Sequence, residues 1–277
     1  MSFWTLFLAA AVAGLMGALN GVGGGLVLIP ILTMLGVDIR EAIAISSVSV
    51  VAISNSAAPT FLRRHLPNMK ACARLEFFAI AGALVGAVLT AVTNRRVLFV
   101  FCGSLLLMSW IALWRTWRRT PPTSATEEAA VVKDTMLAGS YYDSDSGKTI
   151  VYEGRRSLPG GLCMLGVGLM AGLLGGGGGA FTVLVVDLVM GFPTKVALAM
   201  SNLMMGTIAL ASLSIYLETG LVNVRLMIPS VLGVLVGALV GAKLLWRLRG
   251  PVIRHIFLVV MAILGVEMVY NGVTLFR

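Results

Sequence analysis

Two glycine clusters interrupt apolar runs in this chain, and they do so in the same way. Gly21-Val22-Gly23-Gly24-Gly25 runs into Leu26-Val27-Leu28-Ile29-Pro30, and Gly175-Gly176-Gly177-Gly178-Gly179 runs into Ala180-Phe181-Thr182-Val183-Leu184. Each glycine costs a helix about 1 kcal/mol relative to alanine, so each cluster predicts a helix break. The surroundings are apolar enough for a bilayer: 58% of the 277 residues are hydrophobic and only 12% are charged, where soluble domains carry about 25% charge. A break at membrane depth strands N–H and C=O groups unless protein or a water-filled cavity satisfies them. Two such breaks at matching places in two halves are the sequence sign of a transporter's binding site.

The apolar runs are Phe3–Asn20, 26–35, 42–62, 75–92 and 97–114, then 158–174, 180–190, 196–217, 226–245 and 252–276. Several approach the ~20 residues that a spanning helix needs, and the short alternating segments of a β-barrel are absent. The expected fold is an all-α polytopic membrane protein. Phe3–Asn20 lacks the basic n-region of a signal peptide, and the apolar pattern resumes after the glycines, so it is expected to be mature structure. The stretch 115–157 is solvated. Within it Ser140-Tyr141-Tyr142-Asp143 and Thr149-Ile150-Val151-Tyr152 flank a Ser/Asp/Gly turn and predict a β-hairpin. The organisation expected is a first transmembrane repeat over 1–114, a cytoplasmic loop with the hairpin over 115–157, and a second transmembrane repeat over 158–277.

The second half repeats the first. Gly23-Gly24-Gly25 aligns with Gly177-Gly178-Gly179 at an offset of 154; one inserted residue then aligns Gly36 with Gly191, Arg40 with Lys195, Ala42 with Ala197 and Ser46 with Ser201. Arg74-Leu75 aligns with Arg225-Leu226 further on. Each repeat is expected to hold a glycine-broken first helix, re-entrant or split into paired short helices, and three spanning helices. Basic residues orient the halves, since they collect on the cytoplasmic side. Inverted halves place 16 Lys and Arg inside and 5 outside; parallel halves place 13 and 8. The inverted arrangement is favoured. Gly82-x-x-x-Gly86 and Gly233-x-x-x-Gly237-x-x-x-Gly241 let helix backbones approach closely, either within the bundle or as a homodimer seam.

The chemistry follows from the breaks. A helix that starts after glycines presents unpaired N–H groups and the positive end of its macrodipole, and glycine lets an anion approach the backbone. Gly23, Gly24 and Gly25, with Gly177, Gly178 and Gly179, are thus candidate anion-binding residues, two starts facing one cavity near the midplane. The following helices add Ser46, Ser47, Ser201 and Asn202, whose hydroxyl and amide donors suit a small oxyanion. Asn20 precedes the first break and can line it. Ser54 and Ser56 read as helix-packing serines. Asp187 and Glu267 lie inside apolar runs, where ionisable residues are functional candidates. Asp187 is the candidate for proton coupling, with Lys195 or Lys243 as structural partners.

No enzyme signature appears: G-x-S-x-G, H-E-x-x-H and the Walker Gly-Lys-Ser/Thr are missing, and Gly175–Gly179 lacks the lysine of a P-loop. No enzymatic activity, cofactor or metal is expected. Cys72, Cys102 and Cys163 match no metal spacing. The net charge of +9 is that of basic residues flanking spans, without the aromatic-interleaved surface of a nucleic-acid binder. The expected partners are a small anion and the lipid bilayer.

At these motifs the chain resembles the TauE/SafE family of bacterial membrane permeases. The likeness rests on residues 21–30, on Gly36-Val37-Asp38-Ile39-Arg40-Glu41-Ala42-Ile43-Ala44-Ile45-Ser46-Ser47, and on the echo Gly191-Phe192-Pro193-Thr194-Lys195-Val196-Ala197-Leu198-Ala199-Met200-Ser201-Asn202. It covers both repeats. The resemblance implies a multi-pass protein of the bacterial inner membrane that exports or takes up sulfite, sulfonates such as sulfoacetate, or related small organic anions. The chain departs from the pattern where Pro30 has no partner in the second half, where Asn202 stands for the second serine, and in its longer central loop. Besides a gradient-driven secondary transporter, the residues allow a passive small-anion channel, or a membrane sensor or scaffold acting through the central loop. As a transporter, the chain should lose anion flux but not membrane insertion on Gly24→Val or Gly178→Val.

Overall fold

The computed structural model describes residues 3–20, 24–63, 66–118, 137–143, 148–176, 178–245 and 250–274. Gly21, Val22, Gly23 and Gly177 lie outside the described residues, as do 119–136 and 144–147 of the central loop. The helices are α1 (Phe3–Asn20), α2 (Gly25–Met34), α3 (Ile39–Arg63), α4 (Met69–Val92) and α5 (Arg95–Arg118), then α6 (Ser157–Leu173), α7 (Gly179–Leu184), α8 (Thr194–Glu218), α9 (Val224–Leu245) and α10 (Gly250–Thr274). Both halves therefore run in the same order: a long helix, a glycine break, a short helix and three long helices. Among the described residues, Met69–Val92, Thr194–Glu218 and Val224–Gly241 are long and apolar enough to cross a membrane alone.

The residue inserted between the repeats has a structural form. In the first half α2 ends on Leu35, and Gly36 takes the left-handed conformation (φ +87°). Its N–H donates to Thr33 O and that of Val37 to Leu32 O, at 2.9 and 3.0 Å, closing the helix in a Schellman motif. In the second half α7 continues into a π segment, Val185–Val189, before Gly191 makes the same left-handed stop (φ +75°). A π bulge is how a helix absorbs one extra residue.

The halves interlock rather than stand side by side. α1 packs along α9 and α6 along α4, while α3 crosses α8 and α5 packs on α10. These are the pairings that a two-fold exchange of the repeats would generate. The glycine stripes create the closest pairs. A Cβ on Gly82 or Gly86 would stand 2.1 or 2.3 Å from the carbonyl oxygens of Leu165 or Leu169, and one on Gly233 or Gly237 would stand 2.3 or 1.9 Å from those of Phe7 or Ala11. The stripes are therefore occupied within the chain, by α6 and α1, which is the bundle-packing alternative that the spacing allows.

In the central region, β1 (Ala138–Asp143) pairs antiparallel with β2 (Lys148–Glu153), Ala138 opposite Glu153. The hairpin docks on the membrane bundle. Tyr152 packs between Tyr141 and Phe192, with ring centroids 6.2 and 5.5 Å away. Asn68 caps α4 through the Ala71 N–H (3.1 Å) and donates its amide to Ala138 O (3.2 Å). The Arg155 N–H donates to Met190 O at 2.8 Å. Burial pushes the Tyr152 phenol up to about 12, with the Asn68 hydrogen bond opposing. A raised phenol favours the docked state below its ordinary value of 10, and this contribution is lost as pH rises through about 12. Phe192 is only 1% exposed. Phe192→Ala should destabilise the docked hairpin by about 3–5 kcal/mol. Limited proteolysis of the central region checks this; wild-type protection in the variant would refute the docking role.

The two short helices finish at opposite ends of α4. Beyond α2, Arg40 donates to Thr93 O at 2.5 Å and Asp38 pairs with Arg95 at 2.7 Å, just past the last turn of α4. Beyond α7, Met190 and Phe192 meet the hairpin, which is tied to Asn68 at the first turn of α4. A 24-residue helix separates those ends by about 36 Å.

Candidate functional site

Each break brings its glycines against a serine of the following long helix. Gly24 caps α2, and the Leu28 N–H donates to its carbonyl at 3.0 Å. The N–H groups of the first turn after Gly24 have no acceptor inside the helix. Gly25 lies against α3: a Cβ there would meet Ser46 Oγ at 2.6 Å and Val50 Cγ2 at 2.7 Å, with Gly175 O at 3.5 Å. Gly175, left-handed at φ +59°, packs on Ile43 O, and its own carbonyl accepts a hydrogen bond from Ser46 Oγ at 3.2 Å. One serine of the first repeat thus joins the glycines of both.

The second break builds a related junction. Gly178 precedes α7, and the Thr182 N–H donates to its carbonyl at 3.0 Å. Ser201 on α8 donates to Gly179 O at 3.0 Å. The Asn202 side chain donates to Leu198 O at 2.9 Å, and its backbone carbonyl accepts from Ser54 at 2.5 Å. Ser46, Ser47 and Ser201 are fully buried and Asn202 is 8% exposed. Ser47 donates back to Ile43 O and Ser56 to Ile53 O, within their own helix. Asn20 is the last residue of α1, directly before the first break. Of the sequence-predicted residues, Gly25 and Ser46 come together, joined by Gly175, and Ser201 meets Gly179. Gly23 and Gly177 lie outside the described residues.

Ser46 and Ser54 are eight residues apart on α3, and Ser54 touches Asn202. Ser46 and the Ser54–Asn202 contact therefore stand about 12 Å apart along α3. Val50, Met205 and Ala209 form a separate buried apolar cluster at the crossing of α3 and α8, and Gly176 packs on Ala209 and Val50. These apolar side chains lie between the Ser46 contact and the Ser54–Asn202 contact. The serine hydroxyls of both contacts are committed to backbone carbonyls, so an arriving anion must displace those bonds.

The ionisable residues separate as follows. Asp187, in the π segment, accepts a hydrogen bond from Thr194 at 3.1 Å and ties the end of the short helix to the start of α8. Glu267 accepts from Asn271, four residues on along α10, at 3.5 Å. The sequence reading passed over Glu76. It stands at the edge of an apolar run but seven residues inside α4, and Thr207 of α8 hydrogen-bonds to it.

The chain is 25% identical to "Probable membrane transporter protein YunE" of Bacillus subtilis (strain 168), over 99% of both chains. It is 29% identical to "Probable membrane transporter protein ORF9" of Sinorhizobium sp over 102 residues, 37% of this chain and 39% of that one. No solved structure matches it significantly. The family model described as "Sulfite exporter TauE/SafE" matches residues 6–268, and the chain belongs to that family of membrane transporters.

Proposed function

We propose that this protein is a secondary transporter that carries a small sulfur-containing anion, sulfite or a sulfonate, across the bacterial inner membrane. The junction of Gly25, Ser46 and Gly175 carries the reading: helix-start N–H groups, a hydroxyl and left-handed glycine backbone converge there in a buried place. The N–H groups and the hydroxyl, once it leaves the Gly175 carbonyl, are donors for an oxyanion. The family match supports a transporter and leaves the substrate to be assigned. A counterflow screen in liposomes with sulfite, sulfoacetate, taurine, thiosulfate and lactate tests it. Exchange of sulfite or a sulfonate above the protein-free background supports the reading; exchange of lactate alone would refute the substrate class.

The halves are inverted in this proposal. The ends of α2 and α7 at opposite ends of α4 support that orientation. The face bearing the hairpin, Asn68 and the start of α8 is then cytoplasmic, in keeping with the basic loops. The first re-entrant pair dips in from outside and the second from inside. The apolar cluster of Val50, Met205 and Ala209 between the junctions favours a carrier over an open channel, because hydrated ions do not cross a dry constriction unaided.

Ser46→Ala removes the donor to Gly175 O. An unpaired buried carbonyl costs about 1–3 kcal/mol, so the variant should melt earlier in detergent and show a raised KM for the transported anion. Wild-type values for both would exclude Ser46 from the site.

A further inference from the structure

Glu76 sits seven residues into α4, about 10 Å along the helix, half-buried against α8. Thr207 Oγ1 hydrogen-bonds with Glu76 Oε1 and also lies 2.8 Å from the carbonyl oxygen of Met204. A threonine hydroxyl has a single proton, so it either shares that proton between the two oxygens or donates fully to one of them. Both contacts are full two-centre hydrogen bonds when the carboxyl carries a proton: Glu76 O–H then donates to Thr207 Oγ1, and Thr207 donates to Met204 O. When the carboxyl ionises, the Thr207 proton is drawn towards the charged oxygen and the bond to Met204 weakens. A change of protonation at Glu76 is thereby written into the backbone of α8, the helix that carries Ser201 and Asn202.

Among the described residues, no ion pair to Glu76 stands in place of that proton. On α4, Cys72 is one turn before, Lys70 and Arg74 are exposed, and the hairpin's Tyr152 reaches Cys72. On α8, Lys195 lies twelve residues before Thr207, and Tyr216 and Glu218 lie nine and eleven after. On α6 the titratable side chain is Cys163. Ionised carboxylates within a span are costly, and those that persist mark proton relays. The repeat does not reproduce the pair: Met227 aligns with Glu76 and Ala52 with Thr207. Symmetric packing therefore does not account for it.

We propose that Glu76 is the proton-binding site of the transport cycle, with Thr207 as the switch that reports its protonation to α8. The proton enters as a co-substrate of the anion, binds one carboxylate oxygen and leaves from it unchanged, with no other bond made or broken. This rests on the transporter reading above.

The experiment uses the full chain in liposomes, with sulfite and sulfoacetate as probes. Wild type should accumulate the probe under an imposed pH gradient. Glu76→Gln should still exchange the probe by counterflow but lose accumulation under the gradient, and Glu76→Asp should keep accumulation with a displaced pH profile. Glu218→Gln, at the far end of α8, should behave as wild type. Gradient-driven accumulation by Glu76→Gln, or indifference of wild type to the gradient, would overturn the proposal. Failure of wild type to exchange either probe would instead count against the transporter reading. Infrared pH-difference spectra decide the proton site without a substrate. A protonated-carboxyl band should titrate in wild type and vanish in Glu76→Gln, and its persistence in the variant would sink the assignment.

Discussion

Gly25→Val is expected to reduce anion flux in proteoliposomes to the protein-free background while the chain still inserts in the membrane. The cause is local. A Cβ at this position falls 2.6 Å from Ser46 Oγ and 2.7 Å from Val50 Cγ2, both on α3, so a branched side chain must push α2 away from the serine it abuts. Overpacking of this kind costs about 1–3 kcal/mol. Imposed on a transport barrier, about 3 kcal/mol is roughly a hundredfold in rate. Gly24 is a milder position, because the nearest atom to its Cβ is the flexible Cδ1 of Ile53 at 3.1 Å; Gly24→Ala should therefore keep much of its flux. Gly25→Ala should fall between wild type and valine. Combining it with Ser46→Gly removes the clashing hydroxyl and should recover part of the loss, a coupling that a double-mutant cycle reads directly. Wild-type flux in Gly25→Val would exclude this junction from the pathway. Additive losses in the double variant would show that the two residues do not act at one place.

The parts of this architecture legible in the sequence are those set by local chemistry. Low charge and apolar runs of bilayer length declare helices, and glycine clusters declare breaks. The hairpin showed in alternating aromatic and β-branched residues around a Ser/Asp/Gly turn, with Tyr141 and Tyr152 as the buried face. The shift of offset between the repeats was visible as one extra residue, but not that it would be absorbed as a π segment, since no side chain encodes that choice. Partners were illegible for a different reason. The spacing of Gly82 and Gly86 says that a helix approaches closely, not whether it is α6 or a second copy. Depth was illegible as well. Glu76 stands next to Leu75 at the edge of an apolar run, yet α4 begins at Met69 and takes it well inside the span. The separation of the two serine junctions depends on how α3 crosses α8, and neither helix carries that angle in its own periodicity.

Gly237→Val should prevent accumulation of folded protein, whereas Gly166→Val should leave it intact. At Gly237 a Cβ would stand 1.9 Å from the Ala11 carbonyl oxygen. Backbone cannot rotate aside as a side chain can, so α1 and α9 would have to separate by about 1.5 Å to reach van der Waals distance. The separation would propagate along the interface, since Gly14 and Gly233 also pack backbone to backbone there. The expected loss is about 3 kcal/mol or more, at the upper end for overpacked cores, and a marginally stable protein does not survive it. Gly82→Val, at the matching α4–α6 pair, should behave alike. Gly166 has no atom within 4 Å of the position a Cβ would take, so valine there meets open space, and its higher helix propensity than glycine favours the change. Fluorescence-detected size exclusion of the three variants separates the cases. If Gly237→Val instead gave a well-folded protein of smaller assembled size, the stripe would serve contacts between copies, and the internal α1–α9 packing would not be what holds the chain together.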